Sequence, residues 1–282
     1  MSAPQTSQAA MNTGGWDAWI GGYLVALCAA GRPASTRTLR AGQLRYLSRT
    51  IGVSPGAVDA ELLVGWLSAR APGWKHETLR SYVMAVRGFY RWAADTGRAD
   101  AAVAAGLPRV PMRHHLPRPA PDPVWRAAAE RANARVTLML RLAAEAGLRR
   151  AEIAGLRAAD LSGPRGRAVL LVTGKGGRDR RVPLSDGLAN AVRAHADGGE
   201  WLFPSQSGGH ISAQWAGELC SIALGGRWTL HTLRHRFGTA AYRGSHDLRA
   251  VQELLGHSSP ATTQIYVAVN EDSLREAARA AQ

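Results

Sequence analysis

Six of the chain's 14 prolines, Pro108, Pro111, Pro117, Pro119, Pro121 and Pro123, fall within 16 residues. Proline fixes its own φ and has no amide hydrogen, so neither a helix nor a central strand can run through such a segment; it should be extended. A chain of 282 residues interrupted this way is expected to build two separate cores, and its length suits two domains. The expected organisation is a small polar, disordered tail over 1–13, a helical domain over 14–106, a linker over 107–123 and a second domain over 124–282. The linker also carries Arg109, Arg113, Arg118, His114 and His115. A basic strap of that kind would let two domains close around a duplex, although its prolines alone argue only for a boundary.

Ahead of the linker the pattern is helical. A first helix is expected from Trp16 to Ala30, closing at Gly31. A second follows Pro33-Ala-Ser35-Thr36 as its cap and carries Leu39, Leu44 and Leu47 on one side. A third spans about Val58 to Ser68. The fourth, His76 to about Ala94, has the clearest period, with Leu79, Tyr82, Val83, Val86, Phe89 and Ala93 forming an apolar stripe. Arg80, Arg87 and Arg91 share a different face, which would serve solvent or DNA phosphates. With Arg113 of the linker they are the candidate DNA-binding residues.

Charge narrows the partner. The chain has 35 Lys and Arg against 21 Asp and Glu, a formal net charge of +14. A surplus of that size favours a polyanion, nucleic acid first and an anionic membrane surface second. A GC-rich genome would account for many individual arginines but not for the net excess. Cys28 and Cys220 lie too far apart in sequence to suggest a disulfide framework or a cysteine zinc site, and are expected to be buried small hydrophobes in a reducing cytoplasm. The apolar stretch from Trp19 to Ala30 is too short to span a bilayer and lacks the basic start of a signal peptide. A cytoplasmic protein with no membrane partner is expected.

Beyond the linker, Val136 to Ala146 reads as a helix closed by Gly147, followed by a short helix from Arg150 to about Leu156. Asp160 to Ser162, Arg167 to Thr173 and Arg178 to Leu184 read as short strands. The last two are joined by the hairpin turn Gly174-Lys175-Gly176-Gly177. Helices resume over Gly187–Ala196, Ser212–Leu224, His231–Tyr242 and Asp247–Leu255. Ser259-Pro260 then opens a helix that carries Tyr266.

Several residues in this half suit phosphodiester chemistry. His231 and Arg234, three apart near a helix start, project from one face beside unpaired amides that favour a phosphate. One could grip the phosphate while the other moves a proton. His235 is four residues from His231, but no glutamate or third ligand accompanies the pair, so zinc is not expected. Arg149 follows a glycine stop and could face a cleft or solvent; Glu152 could hold it by a charge-assisted bond. Lys175 sits at a hairpin tip and, unlike arginine, can surrender a proton. The hairpin lacks the spacer and the Lys-Ser/Thr ending of a nucleotide-binding loop. His257 follows another glycine stop. Tyr266 taken singly reads as a half-buried core tyrosine; it becomes a candidate nucleophile because the other five precede it in order.

The segments Ala146-Gly-Leu-Arg149-Arg-Ala-Glu152, Val172-Thr-Gly-Lys175-Gly-Gly-Arg-Asp-Arg-Arg-Val-Pro183, His231-Thr-Leu-Arg234-His235 and Leu254-Leu-Gly-His257 through to Tyr266 together resemble the tyrosine recombinase (phage integrase) family. The resemblance is specific over about 124–270 and looser over 16–106. Leu230 departs from it, standing where proline is frequent.

The resemblance implies a mainly α fold: a four-helix core-binding domain, then a mixed α/β catalytic domain with a small antiparallel sheet, the two forming a C-shaped DNA clamp. It implies a catalytic set of Arg149, Lys175, His231, Arg234, His257 and Tyr266. Tyr266 would attack a DNA phosphate to give a 3′-phosphotyrosyl enzyme, conserving the bond energy so that joining needs no ATP. Arg149 and Arg234 would stabilise the developing charge, Lys175 would protonate the departing 5′ oxygen, His231 would take the tyrosine proton and His257 would bond a phosphate oxygen. No cofactor or metal is expected. The implied partners are double-stranded DNA sites, a homotetramer on DNA from a free monomer or weak dimer, and a directionality factor; the setting is nucleoid-associated, of prokaryotic or phage origin. The tail from Val267, with a short helix over Leu274–Ala280, would dock on a neighbour or on its own domain. A type IB topoisomerase uses similar residues, but the motif spacing and compact front domain favour a recombinase. A silent DNA-binding module would have lost one of the six side chains. With about fifteen residues before Trp16 there is no room for an arm-binding domain, so a compact phage or mobile-element integrase is expected ahead of a Xer-like resolvase.

Overall fold

A computed structural model describes residues 15–112, 118–174, 177–196, 199–256 and 279. The chain divides into two compact units, Met1–His114 and His115–Gln282.

In the first unit, α1 (Trp16–Ala29), α2 (Ala34–Ile51), α3 (Ala60–Arg70) and α4 (His76–Asp95) are followed by a short α5 (Ala101–Ala105) that the sequence reading lacked. Its five residues are too few to show a period; Asp100 caps it by accepting from the Ala102 amide. Asp59 caps α3 in the same way through Leu62. The α4 stripe faces inward as expected: Val83, Val86, Phe89 and Ala93 are buried, and Leu79 and Tyr82 pack at the margin. Around Phe89 gather Trp16, Trp19, Tyr23, Tyr90 and Trp92. A second aromatic group joins Tyr46, Trp66, Trp74 and Tyr82. Burying each such ring contributes about 2 kcal/mol, so α4 is the element on which this unit condenses.

Three expectations here are corrected. Pro33 is the residue before α2, and Ser35 and Thr36 lie inside the helix rather than capping it. Leu39 is exposed, whereas Leu44 and Leu47 are buried. Cys28 is exposed; Cys220 is buried, with its Sγ 4.0 Å from the sulfur of Met139.

The second unit opens with α6 (Asp122–Arg131), then α7 (Ala134–Ala146) and α8 (Arg150–Ala154). The proline run ends sooner than expected, because Pro123 sits in the first turn of α6, where its missing amide hydrogen costs nothing. Helix α7 is buried on nearly every side and packs against α6, α8 and three later helices, α9 (Asp186–His195), α10 (Ala213–Ala223) and α11 (Leu230–Ser245). Between α8 and α9 lie β1 (Leu161–Ser162), β2 (Val169–Thr173) and β3 (Asp179–Pro183), an antiparallel sheet of order β1-β2-β3. Its register sets Leu170 against Val182 and Val172 against Arg180. Last comes α12 (Leu248–Leu255), capped by Asp247 through the Ala250 amide and packed by Val251 and Leu255 against Phe237 and Tyr242 of α11. The fold is thus mainly helical with one small antiparallel sheet. No described helix is long and apolar enough to cross a membrane. The helix expected from Ser259, the tail helix over Leu274–Ala280 apart from Arg279, and the amino-terminal tail lie outside the described residues.

Candidate active site

Two glycine stops bring the site together. Gly147 ends α7 at φ 67°, and Gly256 ends α12 at φ 62°, both left-handed. The first turns the chain so that Arg149 stands as the extended cap residue just before α8. There the Glu152 carboxylate accepts from the Arg149 amide at 2.7 Å and from Arg149 Nη1 at 2.7 Å. The bond expected between these two side chains is present.

Glu152 is shared more widely than the sequence suggested. Arg180, from β3, donates through Nη1 and Nη2 to the two carboxylate oxygens at 2.9 and 2.8 Å. Arg234, in the second turn of α11, places Nη1 3.9 Å from the same group. Burial alone would raise the Glu152 carboxyl, but the hydrogen bonds and charge of Arg180, with the amide and guanidinium of Arg149, outweigh it and hold the group below the usual carboxylate range. One carboxylate and three guanidiniums leave a net charge of +2, which suits a phosphodiester.

The same arginines finish α12. A helix leaves its last carbonyls without partners, and here three successive ones each accept from a different guanidinium. Arg180 Nε donates to Leu254 O at 2.8 Å, Arg234 Nη2 to Leu255 O, and Arg149 Nη2 to Gly256 O at 3.2 Å. Arg234 Nη1 also donates to Gly147 O, so it ties both glycine stops together. Side-chain exposure separates the roles: 3% for Arg234 and 8% for Arg180, against 34% for Arg149. Arg149 is the member of the trio most open to a ligand.

His231 lies in the first turn of α11, which Thr229 caps in a reciprocal pairing with Thr232. Its Nε2 is 3.0 Å from Nε2 of His235, so one ring donates to the other. Loss of hydration first, then the charges of Arg234, Arg149 and Arg150, lower His231 from its ordinary value. Burial, His231 and Arg234 bring His235 down to about 4. Both rings are therefore neutral near pH 7, and His231 is in the form that accepts a proton. Among the described residues no three His, Cys, Asp or Glu gather as a metal site.

Lys175, His257, Tyr266 and Arg113 lie outside the described residues, so the structure brings together Arg149, His231 and Arg234 of the expected set. The sequence reading missed Arg180. Its signal was parity: β3 alternates outward and inward, and Arg180 shares the inward register of buried Val182.

In the first unit, Arg80 sits 3.8 Å from Glu77. Arg87 clasps the end of the unit, donating to Leu107 O at 2.7 Å and Pro108 O at 2.8 Å. Arg91 is exposed and with Arg87, Arg109 and Asp95 lines a cavity of about 540 Å³.

Comparison with known proteins gives one answer. The phage integrase family matches residues 125–273. Tyrosine recombinase XerC of Rhodospirillum centenum is 33% identical over 286 residues, covering 86% of this chain and 80% of the relative. XerD of Caulobacter vibrioides is 33% identical over 295 residues, covering 92% and 94%. Of solved structures, the XerH site-specific recombinase bound to its difH substrate matches with a TM-score of 0.69 and 21% identity, over 98% of this chain and 97% of that one. A lambda integrase dimer bound to a core site matches with a TM-score of 0.74 and 17% identity, over 94% and 81%; these two bear on the fold alone. The chain belongs to the phage integrase family and is a tyrosine-type site-specific recombinase.

Proposed function

We propose that Tyr266 cleaves DNA by attacking a phosphate through its Oη while the bond to the 5′ oxygen breaks, leaving a 3′-phosphotyrosyl enzyme. The tyrosine proton passes to His231, and the departing 5′ oxygen takes one from Lys175. Arg149 and Arg234 hold the nonbridging oxygens as charge builds, and His257 bonds one of them. With guanidiniums supplying the positive charge, the step needs neither metal nor ATP. The observation that carries this reading is the net-positive cluster of Arg149, Arg180 and Arg234 on one carboxylate, beside a histidine held neutral.

The helical unit and its linker would serve as the core-binding domain, with Arg80, Arg91 and Arg113 on phosphates. Arg87 is the weaker member of that set, since two of its bonds go to the unit's own carbonyls. Four protomers would act on two duplex sites, and a separate factor would set direction. The sequence leaned towards an integrase of a phage or mobile element. Relatives that span nearly the whole chain are Xer recombinases, and they favour the resolution of chromosome or plasmid dimers, which we adopt.

The test begins by sequencing the DNA that the protein retains, then building a nicked suicide duplex on that site. Wild type should form an adduct that survives denaturant, and Tyr266→Phe should form none. Wild type forming no adduct at any salt concentration would sink the catalytic reading. Recovered sites clustering at one chromosomal or plasmid locus per replicon support resolution, and sites at element ends support integration.

A further inference from the structure

Arg180 has no part in the chemistry proposed above, yet it is closed in at the centre of the site. Its fork is committed: Nη1 and Nη2 face Glu152, and Nε faces Leu254 O. All three of its nitrogens are thus spent on the site's own groups, one carboxylate and one backbone carbonyl. The backbone packs tightly around it, since a Cβ on Gly256 would lie 2.9 Å from its Cδ.

Its effect on Arg149 follows from charge. Without Arg180, Arg149 would be the one guanidinium at hydrogen-bond distance from Glu152, with Arg234 3.9 Å away, and the Glu152–Arg149 pair by itself would carry no net charge. With Arg180 also bonded to both carboxylate oxygens, Glu152, Arg149 and Arg180 together carry +1, and Arg149, the most exposed of them, presents it. The same guanidinium fixes the carbonyl of Leu254, two residues before the glycine that ends α12. It therefore joins β3, which follows the Lys175 hairpin in sequence, to the elements that hold Arg149 and precede His257.

We propose that Arg180 is a positioning residue for strand cleavage, neutralising Glu152 so that the charge and fork of Arg149 remain available to the scissile phosphate. This rests on the tyrosine chemistry proposed above.

The test compares Arg180→Met, Arg180→Lys, Glu152→Gln and the double variant Arg180→Met/Glu152→Gln in full-length protein, on the nicked suicide duplex carrying the mapped site. Three quantities are read: the single-turnover rate of adduct formation at saturating protein, the affinity for an intact duplex, and the thermal midpoint. R180M should bind duplex within about threefold of wild type while its adduct rate falls on the order of a hundredfold, the scale of a misplaced or lost transition-state contact. R180K, which keeps the charge but not the fork, should recover about a tenth of the wild-type rate. In the E152Q background, with rates taken per DNA-bound molecule so that unfolded protein does not count, R180M should cost less than about threefold, because the residue acts through that carboxylate. The double variant leaves no buried charge unpaired between them, so it keeps the cycle readable if R180M is poorly folded. An R180M rate per DNA-bound molecule equal to wild type would overturn the proposal, as would losses that multiply in the double variant. No adduct from wild type would fell the tyrosine chemistry itself, and this inference with it.

Discussion

Replacing Glu152 by glutamine changes one oxygen for an amide nitrogen at the centre of three guanidiniums. The carboxylate accepts four bonds of 2.7 to 2.9 Å, two on each oxygen. Whichever way the glutamine amide turns, two of those acceptances vanish and an N–H faces two donors. Bonds to charged groups contribute about 1.5–3 kcal/mol each, so the loss is about 3–6 kcal/mol, in line with breaking a buried ion pair. A whole domain is stable by about 5–15 kcal/mol, so Glu152→Gln should sit near the edge of folding. The assay is denaturant unfolding of the full chain, followed by tryptophan fluorescence at several pH values. Because the folded carboxyl lies below its ordinary range, its stabilisation is full above the unfolded value of about 4.3 and is lost as pH falls below it. The gap between wild type and variant should therefore be widest at pH 7 and begin to narrow at about pH 4. A variant within about 1 kcal/mol of wild type at pH 7, or a gap unmoved by acid, would refute the account of Glu152 as the common anchor.

Other consequences can be measured in the same way. His235 is lowered to about 4, whereas the unfolded ring titrates near 6.5. The unfolded chain thus takes up a proton that the folded one refuses, and stability should fall as pH drops from 6.5 towards 4; denaturation of His235→Asn should be flatter over that window. Asp122 is brought down to about 2, chiefly by hydrogen bonds from Arg236 at 2.6 and 2.9 Å. Its contribution is present above the ordinary carboxyl range and lost as pH falls through about 2. With 44% of the side chain exposed, solvent screening trims it to about 1 kcal/mol, and Asp122→Asn should lower the melting temperature by about 2–4 °C. Gly147→Ala forces a left-handed φ and puts a methyl 2.4 Å from Phe237 Cδ1. It should cost about 1–3 kcal/mol in a melt and slow adduct formation, since Arg234 bonds the carbonyl of this residue.

Much of this architecture was legible because local rules governed it. Gly147 and Gly256 read as helix stops and are left-handed caps. The α4 stripe repeats often enough to define a buried face. Two failures share one cause. Leu39 lies five residues before Leu44, and Cys28 five after Tyr23; five residues along a helix turn a side chain about 140° away from its partner. Both therefore fall off the buried face that their neighbours occupy. Pro123 looked like part of the break because the first helical turn forgives a missing donor. Glu152 was visible as a partner for Arg149, three residues away. Its pairing with Arg180 spans 28 residues and depends on how β3 packs against α8, which no local spacing encodes. In a chain so rich in arginine, residue type alone could not single it out.

The three bonds at the end of α12 are made to backbone oxygens. Side-chain scanning at Leu254 would remove none of them, so an alanine survey of that position would pass over the contact on which Arg180 depends. Backbone changes would not pass unnoticed. A one-residue insertion or deletion at 254–256 would put every guanidinium out of register at once, and replacing a single peptide bond there by an ester would weaken one acceptor while leaving the side chains in place. Length is thus a constraint on this stretch in its own right, beside the left-handed φ that holds Gly256 and the burial that holds Leu255.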